Sequence, residues 1–252
     1  MTHQDQPALV ATKAGIRRIN QTFTSAAEQR LLIWMCARLP RSITSDILTA
    51  LGIFGAILTF LGFVLSGNSR HWLWLVIAGV VFNWLGDSLD GTLARYRNLE
   101  RPRYGFFLDH MADTFVMALM AIGVGLSPFA QLSSGLMILA AYYLMVILTM
   151  TTCVVTGNFK ISFAGCGPTE IRLLIIAGTL ATMFIPMAQF SVLGIALTAW
   201  DILLITLAVA LVFTCASQVI GTLIKLEKED PAPEAPHPKA INLRVKTKDH
   251  AT

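Results

Sequence analysis

Residues 86–115, GDSLDGTLARYRNLERPRYGFFLDHMADTF, decide the fold, because they place four acids between segments that are almost wholly apolar. The acids are Asp87, Asp90, Asp109 and Asp113. Ionised side chains in an apolar setting are costly, and a group of them indicates function more than packing. These four aspartates are therefore the first candidates for a functional site.

The composition of the chain is that of an integral membrane protein. Of 252 residues, 55% are hydrophobic and 13% are charged, with a mean hydropathy of +0.64, whereas soluble domains carry about 25% charged residues. Runs long enough to cross about 30 Å of hydrocarbon lie at 46–66, 72–95, 106–126, 134–156, 169–189 and 200–224. The sequence therefore predicts an all-α membrane protein with six transmembrane helices.

The distribution of basic residues predicts how these helices are oriented. Six Lys or Arg residues precede the first run, three separate the second from the third, Lys160 follows the fourth, and six come after residue 224. The other side carries only Arg70. By the positive-inside rule, both termini and the acid-bearing turn face the cytoplasm. These flanks also account for the net charge of +4, so no nucleic-acid partner is expected.

Three segments are predicted along the chain. Residues 1–24 form a polar N-terminal segment, and residues 25–228 form the membrane domain. Residues 229–252 are Pro-rich and then basic, a composition typical of a disordered cytoplasmic tail.

The membrane domain opens with a candidate amphipathic helix at residues 25–39. Leu31, Leu32, Met35 and Leu39 recur there at helical spacing, with two arginines outside that stripe. The pattern predicts an interfacial helix that lies on the membrane. A plain soluble helix is the alternative.

Helical periodicity brings the four acids together. At about 100° per residue, one face of the second helix and one face of the third each combine two acids with two small residues. These faces consist of Asp87, Asp90, Gly91 and Ala94, and of Gly105, Asp109, Ala112 and Asp113. With a rise of about 1.5 Å per residue, the acids lie about 6 to 15 Å from the turn between the helices. A hairpin of this kind predicts one pocket near the cytoplasmic leaflet, open to water and lipid.

Four carboxylates in one pocket require compensation. Arg95 is the only base inside this motif close to them, which leaves divalent cations as the natural partners, and ligands made only of oxygen favour Mg²⁺, Mn²⁺ or Ca²⁺ over zinc. Protonation of some acids or pairing with loop arginines are alternatives. A cation- or proton-coupled transporter is the rival class, although its acids would lie near the midplane on broken helices.

The order of these residues resembles the signature of the CDP-alcohol phosphotransferases, also called CDP-alcohol phosphatidyltransferases. The one departure is a spacer of nine residues, 96–104, which is usually one residue shorter in the family. In PRSITSDILTALG, residues 40–52, Thr49 and Gly52 also match the segment that opens the first helix of many members, where Asn is common in place of Asp46. The resemblance implies six membrane helices, cytoplasmic termini and a homodimer. The signature positions are Asp87, Asp90, Gly91, Ala94, Arg95, Gly105, Asp109 and Asp113.

The resemblance also implies an activity, the transfer of a substituted phosphate group in phospholipid biosynthesis. The four aspartates would hold one or two divalent ions, Mg²⁺ or Mn²⁺, and Asp113 would also be the general base for the acceptor alcohol. For Asp46 a helix cap is the alternative role, with Ser45 as another cap candidate. The residues that would contact the nucleotide of a CDP-linked substrate are Asp46, Thr49, Gly91, Ala94, Arg95 and Gly105.

A second polar group lies in GCGPTEIR, residues 165–172. Glu170 and Arg172 enter the fifth helix there. By the resemblance, they would bind the acceptor, with Arg172 on its phosphate or carboxylate. Pairing of Arg172 with Glu170 or another neighbouring acid is the alternative.

The donor is the least determined part of the prediction. Most small bacterial members of the family use CDP-diacylglycerol and a soluble alcohol, and we expect the same here, in a bacterial inner membrane. The Asp109-His110 pair is instead shared with the enzymes that transfer choline or ethanolamine phosphate to a lipid. Asn83 and Trp84 are expected to lie in the core, and Asp201 to cap the last helix.

Overall fold

Seven α-helices make up most of the chain in the part that the computed structural model describes, residues 25–156, 168–185, 189–192 and 194–231. A 3₁₀ helix, Arg70–Trp72, precedes α3, and two strands, β1 (Gln189–Val192) and β2 (Ile195–Thr198), form an antiparallel hairpin. The predicted N-terminal segment 1–24 and the tail from residue 232 lie outside the described residues. The helices are α1 (Ser25–Cys36), α2 (Ser45–Leu65), α3 (Leu73–Tyr96), α4 (Pro102–Gly125), α5 (Leu132–Thr156), α6 (Pro168–Phe184) and α7 (Ala199–Glu229).

Five helices in the described part are long and apolar enough to cross a membrane. They are α2, α3 with the 3₁₀ turn before it, α4, α5 and α7. Each corresponds to one of the runs predicted from hydropathy. The structure is therefore mainly helical, with five candidate membrane-spanning helices in the described part.

The predicted fifth run, 169–189, is wrong at its C-terminal end. α6 ends at Phe184 and has 17 residues, which rise about 26 Å, less than the roughly 30 Å of a bilayer core. Pro186 follows in the sequence, and a proline disfavours the helical conformation of the residue before it. The β1–β2 hairpin comes next, with Gly194 at a φ of +80°, which glycine adopts without strain. A sixth span is not confirmed.

The backbones of α2 and α3 are almost in contact. A Cβ atom added to Gly86 would lie 2.3 Å from the amide nitrogen of Gly52, and one added to Gly55 would lie 2.4 Å from that of Asn83. Real Cβ atoms essentially never come within 3.0 Å of such atoms. Contacts between small residues stabilise helix pairs in membranes, because they allow close van der Waals packing. The glycines therefore set the distance between the helices that carry Thr49 and the first two acids.

The first helix packs on this pair. Leu32 and Cys36 of α1 are buried in a cluster with α2 and α3, and Met35 and Leu39 pack against it. Leu31 is exposed, so it does not belong to the buried part of the predicted stripe. Burial raises the pKa of the Cys36 thiol, which keeps this core position neutral.

Arg97 fastens the end of α3 to the connection between α1 and α2. Its guanidinium donates to the backbone carbonyl oxygens of Ile43, Leu39 and Pro40, at 2.5, 3.1 and 3.0 Å. Hydrogen bonds from a charged donor are among the stronger ones in proteins. They fix the turn from which α4 starts.

Asp201 caps α7 and a second helix, which confirms and extends the expected role. Its carboxylate accepts from the backbone amide of Gln131, just before α5, at 2.7 Å and from that of Thr198 at 3.0 Å. The Thr198 hydroxyl accepts in return from the Asp201 amide at 3.1 Å. This reciprocal pair is a capping box.

By its internal contacts the chain divides into two units, residues 1–215 and 216–252. The first contains the helices α1 to α6 and the beginning of α7. In the second, Lys225 and Glu229 form an ion pair one helical turn apart, with 3.6 Å between Nζ and Oε1.

We expect Gly86→Ala to destabilise the protein, because its methyl group would overlap the backbone of Gly52. Overpacking of this kind costs about 1–3 kcal/mol, so the Tm in detergent should fall by several degrees. Gly221→Ala is the matched control, since a Cβ atom there would meet nothing within 4 Å. An unchanged Tm for Gly86→Ala would contradict the role of the glycine contact.

Candidate active site

Three helices present polar side chains to one cleft. Asp87 and Asp90 come from α3, Asp109 and Asp113 come from α4, and Thr49 comes from α2. The remaining lining residues are Gly52, Ile53, Asn83, Ala112 and Val116. The acids thus share a cavity, as their helical spacing predicts.

Three of the acids form a tight group. One carboxylate oxygen from each of Asp87, Asp109 and Asp113 lies within 4.8 Å of the others, and all three side chains are half-buried. Two unit charges at this distance repel by on the order of 3 kcal/mol at an effective dielectric constant of about 20. A divalent cation with oxygen ligands would remove this repulsion. The donor set and its spacing therefore fit a metal ion.

Asp90 has a different environment from the other three acids. It is only 9% exposed; its Oδ2 accepts from the Thr49 hydroxyl at 2.6 Å and its Oδ1 from the Gly91 amide at 2.5 Å. Its backbone carbonyl also accepts from the Ser45 hydroxyl at 2.7 Å. A carboxylate oxygen has more than one lone pair, so these bonds leave Asp90 able to contribute to a cation site.

Arg172 supplies positive charge to this group from α6. Its Nη2 donates to Oδ2 of Asp87 at 2.7 Å, and its Nε donates to Oδ1 of Asn83 at 3.0 Å. Asn83 in turn donates to the Gly52 carbonyl at 3.0 Å. Arg95, the base expected from the motif, is exposed and donates to the Thr92 hydroxyl. The pairing of Arg172 with an acid is thus observed, and that acid is on α3.

Of the predicted nucleotide-binding residues, one lines the cavity and the others lie outside its lining. Thr49 is part of the cavity wall. Gly91 and Ala94 follow in the last turns of α3 and are half-buried, whereas Arg95 and Gly105 are exposed. A Cβ atom at Gly105 would meet nothing within 4 Å. Beyond the cavity lining, the predicted residues on α3 and α4 are therefore half-buried or exposed.

Asp46 forms an ion pair instead of a cap. The residue that caps α2 is Thr44, whose hydroxyl accepts a hydrogen bond from the backbone amide of Ile47 at 3.3 Å. The cap role considered for Asp46 and Ser45 is therefore wrong. The Asp46 carboxylate pairs with Arg101, whose guanidinium also lies 4.0 Å from the ring centroid of Tyr104. The long spacer is thereby tied to the first turn of α2.

The helix α4 has two chemically different faces. Phe107, Met111 and Phe115 recur every four residues and are 67%, 50% and 51% exposed. Asp109 and Asp113 line the cavity on another face. An exposed apolar stripe on a membrane helix is suited to contact with lipid. The helix α4 thus carries the acids on one face and this stripe on another.

The sequence pattern does not indicate the contacts of Asn83 and Glu28, and both have polar partners on other helices. Asn83 is buried, as expected, but its side chain also joins α2 to Arg172. Glu28 accepts from the indole of Trp84 at 2.8 Å. The position of Asn83, one helical turn before Asp87, could have indicated a place in the site. Nothing in the sequence around Glu28 indicates its partners.

Carboxylates that converge in a helical bundle, with a guanidinium beside them, are suited to bind a cation and a phosphate group. A family model for CDP-alcohol phosphatidyltransferases matches residues 42–216, more than half of the chain, and the chain belongs to this family. The comparison with curated proteins finds no match. Members of the family are transferases of substituted phosphate groups, so this protein is an enzyme, and the transporter hypothesis is set aside.

We expect Thr49→Val to destabilise the site, because valine keeps the shape of threonine but removes the hydroxyl that donates to buried Asp90. A buried acceptor that loses a partner costs about 1–3 kcal/mol, so both the Tm and the transferase activity should fall. Thr149→Val is the control, since the Thr149 hydroxyl bonds only to a carbonyl of its own helix in α5. Equal effects of the two substitutions would contradict a specific role for the Thr49–Asp90 bond.

Proposed function

We propose that the protein transfers a phosphatidyl group from CDP-diacylglycerol to a soluble alcohol and releases CMP. Family membership supports transfer from a CDP-linked substrate. The observation that carries the proposal is the group formed by Asp87, Asp109 and Asp113, with carboxylate oxygens within 4.8 Å of one another. Such a group, with Arg172 bonded to one of its members, is suited to a diphosphate and its counter-ion.

A divalent ion, Mg²⁺ or Mn²⁺, is the proposed occupant of this group. Both are hard cations that prefer oxygen ligands, and Asp90 lines the same cavity as a further donor. When bound, the ion would neutralise diphosphate charge and make the phosphorus more electrophilic. Arg172 offsets one carboxylate charge, so the group retains the negative charge that attracts a cation.

Asp113 is the proposed general base. It lies one helical turn beyond Asp109 on α4 and lines the cavity. Its carboxylate would take the proton of the acceptor hydroxyl as that oxygen forms a bond to the β-phosphorus. The bond between this phosphorus and the oxygen of CMP would then break, and CMP would leave with the electron pair.

The nucleotide is proposed to bind along a path from the cavity to the α3–α4 turn. Exposed Arg95 would offset phosphate charge, and the open space at Gly105 would accommodate the cytidine. The ion pair of Asp46 with Arg101 would form one side of this path. The full proposed set is Asp46, Thr49, Gly91, Ala94, Arg95 and Gly105.

The acceptor alcohol is proposed to bind near the start of α6. The Arg172 guanidinium, now bonded to Asp87 and Asn83, presents a planar pair of donors that suits a phosphate or a carboxylate. Glu170 lies in the first turn of the same helix and is the proposed partner for the polar remainder of the acceptor.

Transfer of choline or ethanolamine phosphate to a lipid alcohol is the second candidate function, and His110 is the residue that favours it. The ring of His110 stacks on Phe106 at 4.1 Å between centroids, and its Nδ1 lies 2.8 Å from the carbonyl oxygen of Phe106. His110 is not among the residues that line the cavity. Its Nδ1 also lies 3.8 Å from Oδ2 of Asp109, and this contact with a cavity acid is what the structure adds to the sequence argument.

We propose six membrane passes, with α6 as the short fifth, in a bacterial inner membrane. The arginines of the α3–α4 turn, against Arg70 alone in the α2–α3 turn, support a cytoplasmic site and cytoplasmic termini. The exposed side chains of Leu31, Ile33 and Trp34 support an interfacial location for α1.

The proposed membrane domain is 25–228, flanked by the polar segment 1–24 and the tail 229–252. A homodimer is proposed from the resemblance to the family. The proposed partners of the chain are thus a CDP-linked substrate, membrane lipid and a second copy of the chain.

We expect CMP release from CDP-diacylglycerol with one member of a panel of soluble alcohols, and only with Mg²⁺ or Mn²⁺ present. Chelation with EDTA should abolish release and excess Mg²⁺ should restore it, because the three carboxylates need a cation to accept a diphosphate. The assay uses purified protein in lipid vesicles, with CDP-choline and CDP-ethanolamine plus diacylglycerol tested in parallel. Release only from the latter pairs would overturn the proposed donor, and release that is insensitive to EDTA would overturn the metal requirement.

We expect Asp113→Asn to lower turnover by at least about 100-fold while metal-dependent CDP binding is retained, since the amide cannot accept the proton. Asp90→Asn should impair both turnover and binding. Asp230→Asn, an exposed aspartate just after α7, is the control. Turnover and calorimetric titration with CDP measure the two effects, and near-normal turnover in Asp113→Asn would remove this residue as the base.

A further inference from the structure

Glu28 of α1 contacts both of the helices that meet at the ion pair of the site. Its Oε1 accepts hydrogen bonds from Nε1 of Trp84 on α3 and from Oγ1 of Thr169 on α6, each at 2.8 Å. One carboxylate from the N-terminal helix thus joins α3 to the first turn of α6.

Each of these donors precedes a member of the ion pair by three residues. Trp84 is three residues before Asp87, and Thr169 is three residues before Arg172. Side chains three apart on a helix are neighbours, about 5–6 Å apart between Cβ atoms. Two connections therefore lie side by side between α3 and α6, one through Glu28 and one directly from Arg172 to Asp87.

The packing of α1 does not itself require an acid at position 28. Leu32 and Cys36 already bury α1 against Leu48 on α2 and against Leu89 and Leu93 on α3. A half-buried carboxylate adds a desolvation cost that its hydrogen bonds must offset. Glu28 is thus explained by the two donors that it joins.

We infer that Glu28 is a positioning residue, which holds the start of α6 against α3 so that Arg172 faces Asp87 and Asn83. Without the carboxylate, Thr169 would lose its acceptor and the first turn of α6 would lose its connection to Trp84. The kinetic consequence rests on the proposed role of Arg172 in substrate binding. Misplacement of a binding group by about 1 Å can lower the rate about 100-fold. Even a small shift of α6 should therefore lower kcat/KM measurably.

The kinetic test compares Glu28→Ala with Glu28→Gln, whose amide oxygen can accept the same two bonds. Glu28→Ala should lower kcat/KM for the acceptor by at least about tenfold, and Glu28→Gln should retain most of it. In an Arg172→Lys background, Glu28→Ala should change kcat/KM by less than about twofold, because residues that act through one another are not additive. Equal losses in both backgrounds, or an equal loss in Glu28→Gln, would overturn the inference.

Amide hydrogen exchange provides a test that needs no turnover. Glu28→Ala and the shape-preserving Thr169→Val should both speed exchange in the first half of α6, whereas Gln29→Ala, an exposed neighbour on α1, should not. Thr169→Val keeps the test decisive if Glu28→Ala does not fold. Unchanged exchange in α6 would overturn the role of Glu28. If the wild-type protein released no CMP, that result would contradict the proposed function and not the role of Glu28.

Discussion

The close contact between α2 and α3 is the constraint on which the rest of the site depends. Because Gly55 and Gly86 leave no side chain between the two backbones, the Thr49 hydroxyl reaches Asp90, and the amide of Asn83 reaches a carbonyl of the facing helix. The contact also fixes the rotation of α3 about its axis. A wider separation would leave buried polar groups without partners in a medium that offers no water to replace them.

The polar groups around the acids are linked from one helix to the next. The Gly52 carbonyl accepts from Asn83, Asn83 accepts from Arg172, and Arg172 donates to Asp87. In the part of the chain that the structure describes, every buried side-chain nitrogen or oxygen has a hydrogen-bond partner. Charge that would be costly in a membrane is therefore distributed over three helices, and each depends on the others for its position.

Local patterns predicted much of this arrangement, and long-range packing accounts for what they missed. The positions of five candidate spans follow from the apolar runs, although α4 begins earlier and α7 ends later than predicted. The shared cavity follows from acids three and four residues apart. Hydropathy alone extended the fifth run past Pro186, because it does not register that a proline ends a helix. Arg172 is 85 residues from Asp87, and Glu28 is 56 residues from Trp84 and 141 from Thr169, so none of these pairings follows from spacing. For Asp46, the alternative role as a cap is wrong, because α2 begins at Ser45 and its N-cap is therefore Thr44.

The helix α4 belongs to two environments at once. Its acids line the cleft, while Phe107, Met111 and Phe115 form an exposed apolar stripe on another face. Because the two sets of side chains occupy different faces, each can vary without displacing the other. Adaptation to a thicker, thinner or more fluid bilayer can therefore proceed along one face, while the chemistry on the other is inherited unchanged.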